Sequence, residues 1–304
     1  MTLIEVGTTE AAEGTVEPTG DDDLAVARPL RAEVWKRFRR NRLAMVGLAF
    51  ILLMFLVAIL APVIAPYSYK ELAGDSRQPP SLDHLFGTDR IGRDLFSRVV
   101  YGARVSLRIG VAATLISLII GIAVGAAAGF FGGLVDNILM RFTDVLLAIP
   151  YIILAVAIAT VAGRSENSVI LILGITGWLG VARIVRSSFL SLKRLEYVEA
   201  AKALGFSRRR IMFRHIMPNA LQPMLVYGTI TVGAVILSEA ALSFLSVGPQ
   251  DPTPAWGLMV ADGKGLLVPS PHVLFFPSAA IALTVMAFVF VGDGLRDALD
   301  PKLK

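Results

Sequence analysis

Continuous apolar runs constrain this chain more than any other feature. Residues 43–64, 105–131, 142–161, 169–181, 224–247 and 275–291 are runs of mostly apolar side chains. A helix of about 20 residues rises roughly 30 Å, the depth of a bilayer's hydrocarbon core. Lipid offers no partner to a free N–H or C=O, so each run must satisfy its backbone as a helix. A membrane barrel would show short alternating segments, and these runs are unbroken. A hydrophobic fraction of 55% over 304 residues and a mean hydropathy of +0.68 exclude an ordinary soluble globule. The reading is an all-α polytopic membrane protein with six transmembrane helices.

Charge sets the expected orientation. Residues 1–34 read as a disordered acidic cytoplasmic tail: seven acids and no base lie in residues 1–27, with no basic start or apolar centre for a signal peptide. Residues 35–66 form a basic anchor and the first span. Residues 67–104 read as an external loop, although Lys70, Arg77, Arg90, Arg93, Arg98 and Arg104 oppose the positive-inside tendency. Residues 105–300 hold five further spans. A short turn at Gly132–Gly133, Asp136, Asn137 and Arg141 leads into the third span, which Pro150 is expected to kink. The segment 183–223 carries nine basic residues up to Arg214. That density places it, and both termini, in the cytoplasm. The net charge of +5 is therefore read as membrane orientation and not as nucleic-acid binding.

Within the second span Gly121, Gly125 and Gly129 recur at every fourth position and share one helix face. Such a face lets another helix approach closely, so helix packing is their expected role. Glu239, with Ser243 nearby, is an acid inside the fifth span, and Asp144 stands at the entrance of the third. Acids at such depth face the bundle interior or water. They are candidates for a translocation pathway, beside a structural, hydrogen-bonded role for Glu239. The chain has no Cys and no G-x-x-x-x-G-K-[ST] phosphate loop, and its three His are far apart. No catalytic residue, metal site or cofactor is expected in this chain.

The segment 196–223 is the one long, strongly charged and potentially helical stretch between spans. Glu199, Ala200, Ala201 and Ala203 favour a helix, Gly205 can stop it, and Ser207 can cap a second helix from Arg208 to about Met217, before Pro218. Small side chains on a short exposed helix suit docking in a partner's groove, with Arg208 and Arg209 beside it. An interfacial helix on anionic lipid is the blander alternative.

E-A-A-x-x-x-G at 199–205, followed by His215 and Pro218-Asn219, resembles the coupling loop of importer-type ABC transporter permeases. F-G-T-D-R-I-G-R-D-L-F-S-R at 86–98, L-S-E-A-A-L-S-F-L-S-V-G at 237–248 with P-T-P-A-W-G, and V-G-D-G-L-R-D-A-L-D-P at 291–301 resemble the C-type subunit of dipeptide, oligopeptide and nickel permeases. The likeness spans about residues 36–302, while Pro269–His272 and Ser278 depart from the pattern. It implies a type I importer permease fold, with a five-helix core plus an N-terminal span, in a bacterial cytoplasmic membrane. It also implies a second homologous permease, two ATPase subunits that carry ATP and Mg, and an extracytoplasmic substrate-binding protein. Glu199, Ala200, Ala201, Gly205, Arg208 and Arg209 would contact the ATPase, and the cargo would be a di- or oligopeptide. A nickel or other small-solute permease, an ATPase-independent channel or secondary transporter, and a scaffold remain as alternatives.

Overall fold

The computed structural model describes residues 30–299; of the disordered tail expected over 1–34, residues 1–29 lie outside the described residues, and 30–34 are instead helical, opening the first helix. Among those residues the chain is helical without a strand. In order the helices are α1 (Leu30–Arg40), α2 (Arg42–Ile59), α3 (Ala61–Ile64), α4 (Leu95–Phe131), α5 (Gly133–Leu147), α6 (Tyr151–Ala162), α7 (Glu166–Leu192), α8 (Glu196–Ala203), α9 (Arg208–Arg210), α10 (Met217–Ala220), α11 (Gln222–Phe244), α12 (Trp256–Gly263) and α13 (Pro271–Leu299). A π-helical turn, Ile211–Ile216, separates α9 from α10. Five helices, α2, α4, α7, α11 and α13, are long and apolar enough to cross a membrane. The pair α5 and α6 meets the same test together but is bent by 88° at a break that holds Pro150, where the sequence predicts a kink, so it is a broken span or a re-entrant loop.

Three boundaries differ from the sequence reading, each because polar residues continue a helix. The loop expected at 67–104 ends ten residues early. Asp94 accepts a hydrogen bond from the Ser97 N–H and caps α4, which then runs 37 residues, about 55 Å at 1.5 Å per residue. Asp136 to Arg141 belong to α5 and not to a turn. The fourth span is 27 residues long because Arg183 and Arg186 stay helical, each paired to an acid on α5.

The bundle closes on small residues. Gly121, Gly125 and Gly129 face α7, and a Cβ at Gly129 would stand 2.6 Å from the Phe189 Cβ and 2.9 Å from the Arg186 carbonyl. At the neighbouring positions the obstructing groups are Val181, Ala182 and Val185. Gly110 rests on Ile236 of α11, and Gly47 of α2 rests on the Ala287 carbonyl of α13, so α4 and α13 each take a second neighbour. Lipid packs as well against Leu as protein does, so close backbone approach is what favours these pairings. Gly125→Leu is therefore expected to separate α4 from α7 and to lower the melting temperature of the detergent-solubilised chain sharply. Overpacking of this kind costs about 1–3 kcal/mol even where the backbone can shift. The same change at Gly265, where a Cβ meets nothing, should be near neutral.

Candidate functional site

The polar insert folds onto one end of the α4–α7 pair. Val198 and Ala201 of α8 are buried beside Val181, Val185 and Phe189 of α7 and Ile211, Ile216 and Ala220 beyond it. This splits the expected alanine patch. Ala201 anchors α8 to its own chain, whereas Glu199, Ala200, Ala203, Leu204 and Gly205 are exposed, Leu204 to 73%. The stop after α8 is a Schellman turn. Phe206 N–H donates to the Ala201 carbonyl and Gly205 N–H to that of Lys202, with Gly205 at φ +74°. Nothing stands within 4 Å of where a Gly205 Cβ would lie. Its smallness is therefore not required by this chain's own packing.

Ser207 caps α9 by accepting from Arg210 N–H at 3.3 Å. The helix expected from Arg208 to about Met217 is not regular, because the wide π turn intervenes and Met217 N–H donates to the Met212 carbonyl. In an α-helix the Pro218 ring would clash with the carbonyl four residues earlier, and the wider turn gives it room. Asn219 Nδ2 donates to the His215 carbonyl at 2.9 Å and to Tyr197 Oη at 3.2 Å, tying the second half of the insert to α8. Arg210 stacks 4.2 Å from the centroid of Phe206. Arg208 and Arg209 remain exposed.

The pathway candidates separate by environment. Asp144 Oδ1 pairs with Arg183 at 2.6 Å, both side chains about half exposed, in the last turn of α5 before the α5–α6 break. Nearer the insert, Arg186 holds both oxygens of Asp136 at 2.5 and 2.6 Å. Asp136 and Asp144 lie eight residues apart, close to two helical turns, and that spacing was the signal for a shared face. Glu239 is fully buried. Ser243 Oγ donates to its Oε1 at 2.7 Å, and a Cβ on Gly257 would come within 2.8 Å of Oε2. The carboxyl thus packs against α12, where only a glycine leaves it space, and among the described residues its Oε2 has no hydrogen-bond partner. Ser243 lines a cavity of 490 Å³ with Arg90, Gln250 and Asp262.

Two of the arginines that oppose the positive-inside tendency, Arg93 and Arg98, are built into a folded cap at the other end. Arg93 Nε donates to Asp89 at 2.6 Å and its NH1 to Asp251 at 2.6 Å, while buried Arg98 donates to the Tyr69 carbonyl at 2.9 Å. For Arg93, burial lowers the pKa, but its bonds to Asp251 and Asp89 outweigh this and raise it. For Asp262 burial dominates and raises the pKa, against the pull of Arg90 and Arg98. Buried His84 pairs with the capping residue Asp94 at 2.9 Å, and Trp256 seats on Gly102 with its Nε1–H bonded to the Val99 carbonyl.

The family described as binding-protein-dependent transport system inner membrane component matches residues 118–304, and the N-terminal transmembrane domain of oligopeptide transport permease C matches residues 30–80. The chain belongs to this permease family. It is 46% identical over 276 residues to the oligopeptide transport system permease protein OppC of Bacillus subtilis, covering 89% of this chain and 90% of that one. It is 43% identical over 275 residues to the dipeptide transport system permease protein DppC of the same organism, covering 90% and 86%. A glutathione transport system permease protein, GsiD of Escherichia coli, is 44% identical over 274 residues, covering 90% of each. Among solved structures, an inward-facing form of the MetNI methionine ABC transporter aligns with a TM-score of 0.57 at 21% identity, covering 68% of this chain and 98% of that one. The fold is that of an ABC importer permease.

Asp89 accepts from the backbone N–H of Ile91 and Arg93 as well as from the Arg93 side chain. Asp89→Ala should destabilise the cap, by less than the roughly 3–5 kcal/mol of a wholly stranded buried charge because Arg93 keeps Asp251. Limited proteolysis of residues 65–94 would read this. Asp251→Ala, at a half-exposed partner, should cost less.

Proposed function

We propose that the chain is a transmembrane subunit of an ATP-driven importer that carries peptides into the cell, with separate ATPase subunits acting on α8. The observation that carries this reading is the ledge of Glu199, Ala200, Ala203, Leu204 and Gly205. It projects free of its own chain, yet is anchored through Val198 and Ala201 to α7. A small-residue ledge with an exposed leucine suits a partner's groove, and the exposed Arg209 beside it suits a rim pair that fixes register. Ala201 holds the ledge in place and does not form part of its outer face.

In this reading the insert and both termini are cytoplasmic, the 65–94 cap faces the binding protein, and the bent α5–α6 pair completes six spans in a bacterial cytoplasmic membrane. A second homologous permease would pair with this one, and two ATPase subunits would bring ATP and Mg. The peptide class rests on the oligopeptide and dipeptide permeases to which the chain is similar. Asp144 is the better pathway candidate. An ion pair half exposed along a span is costly against lipid and cheap beside water. Glu239 and Ser243 serve the α11–α12 junction.

Two experiments test the reading. Co-expression with its partners should yield a complex whose ATP turnover rises with a peptide-loaded binding protein. A chain that transports without any ATPase would overturn the reading. In that complex Gly205→Trp should abolish uptake while membrane insertion persists, since the positive φ alone costs roughly 1–2 kcal/mol. Gly205→Asn, which adopts this conformation more readily, should retain most uptake. Normal uptake by the Trp variant would show that no groove closes on Gly205.

A further inference from the structure

A cavity of 380 Å³ lies where the insert meets the end of α4, lined by Phe130, Phe131 and Ile216 and by the basic Lys193, Lys202 and Arg208. No acidic residue lines it. Among the described residues, Lys202 and Arg208 form no side-chain hydrogen bond or ion pair. Lys193 spends one N–H on the Phe130 carbonyl at 2.6 Å, capping the end of α4, and sits 5.7 Å from the Phe130 ring centroid. Burial pulls its pKa below the usual lysine range, and Lys202 and Arg208 push it the same way. Three cations share one cavity with no counter-charge, an arrangement that an anion would relieve.

The walls narrow the choice of anion. Phe131 is the last residue of a 37-residue apolar span and is 58% exposed. The cavity therefore carries an uncovered phenyl face, beside its cations, at the end of a helix long and apolar enough to cross a membrane. A free phosphate would use the cations and leave that face bare. A lipid uses both.

We infer that this cavity binds an anionic phospholipid, its phosphate held by Lys193, Lys202 and Arg208 and an acyl chain lying on Phe131. The inference goes beyond the proposed function and does not require it, because the site belongs to this chain alone. It gives Arg208 a lipid partner and leaves Arg209 as the cation beside the docking ledge. A lipid so placed would brace the base of α8 against the end of α4.

The test is a lipid titration of the full chain, delipidated in detergent and followed by native mass spectrometry. The probes are dioleoylphosphatidylglycerol, dioleoylphosphatidylcholine and glycerol 3-phosphate. One phosphatidylglycerol per chain should bind saturably, with phosphatidylcholine far weaker. Lys202→Gln and Arg208→Gln, each at an exposed position, should weaken it about fivefold each, the usual gain per basic residue at an anionic surface. The triple variant with Lys193→Gln should lose about a hundredfold by the same scale. Phe131→Ser should weaken the lipid and leave glycerol 3-phosphate unaffected. Equal binding of phosphatidylcholine, or unchanged affinity in the two single variants, would overturn the site. Equal competition by glycerol 3-phosphate would make it a free-anion site. Release of the lipid when ATPase subunits assemble would assign the cations to a protein partner. Both results would also overturn the inference.

Discussion

The close contact of α4 with α7 is the constraint on which the rest of the molecule depends. In lipid no hydrophobic force brings two apolar helices together, so their association needs backbones near enough for dense dispersion contacts. Gly121, Gly125 and Gly129 supply that approach along one face of α4. The insert is then built on the product of this contact, not beside it. Its core is made from Val181, Val185 and Phe189 of α7 and Ala126 of α4 together with Val198, Ala201, Ile211 and Ile216. If the helix pair opened, α8 would lose the surface that holds it.

At the other end the chain solves an opposite problem, how to keep arginines in a segment that leads into a span. For Arg93 and Arg98 it does so by closing the loop into a cap in which acids meet them. Asp89 and Asp251 reach Arg93 from separate parts of the chain, and Phe86 stacks on Phe276 with ring centroids 3.8 Å apart. The cap therefore ties the start of α4 to the segments that flank α12 and α13. Buried ion pairs contribute little net stability against apolar replacements, but removal of one partner is costly. Their effect here is to make the cap's geometry intolerant of change.

The class of fold was legible because lipid admits so few solutions for a long apolar run. What the runs hid were the polar continuations. Arg98 and Arg104 read as loop because charge ends an apolar window, although Asp94 with Ser97 three residues on is an N-cap signal ahead of them. Arg183 and Arg186 truncated α7 for the same reason, since their partners Asp144 and Asp136 are distant in sequence. Gly205 and Ser207 were readable as stop and cap because both act within a few residues. The division of the alanines was not, because which of Ala200 and Ala201 faces inward depends on how α8 lies against α7. Neither the insert nor the cap could be placed against the bundle from spacing alone.

One consequence of the architecture concerns how a force on the insert would travel. α4 runs without a break from Asp94 in the cap to Phe131 beside Lys193, about 55 Å, and no loop interrupts it. The neighbouring α5–α6 pair is broken at Pro150 and held to α7 by two ion pairs, one of them half exposed. In the proposed coupling, a push on α8 would travel along the unbroken α4 and the α7 packed against it to the cap. The bent pair is the element whose angle is set at a break and not along a continuous helix. Such a pairing of a continuous helix with a hinged one turns a displacement at one end into a relative movement of spans, because packed helices shift as bodies and do not deform continuously. Coupling of this kind requires only that the glycine contact stay closed while the Asp144–Arg183 pair can open. The burial of the first and the half-exposure of the second set them in that order of strength.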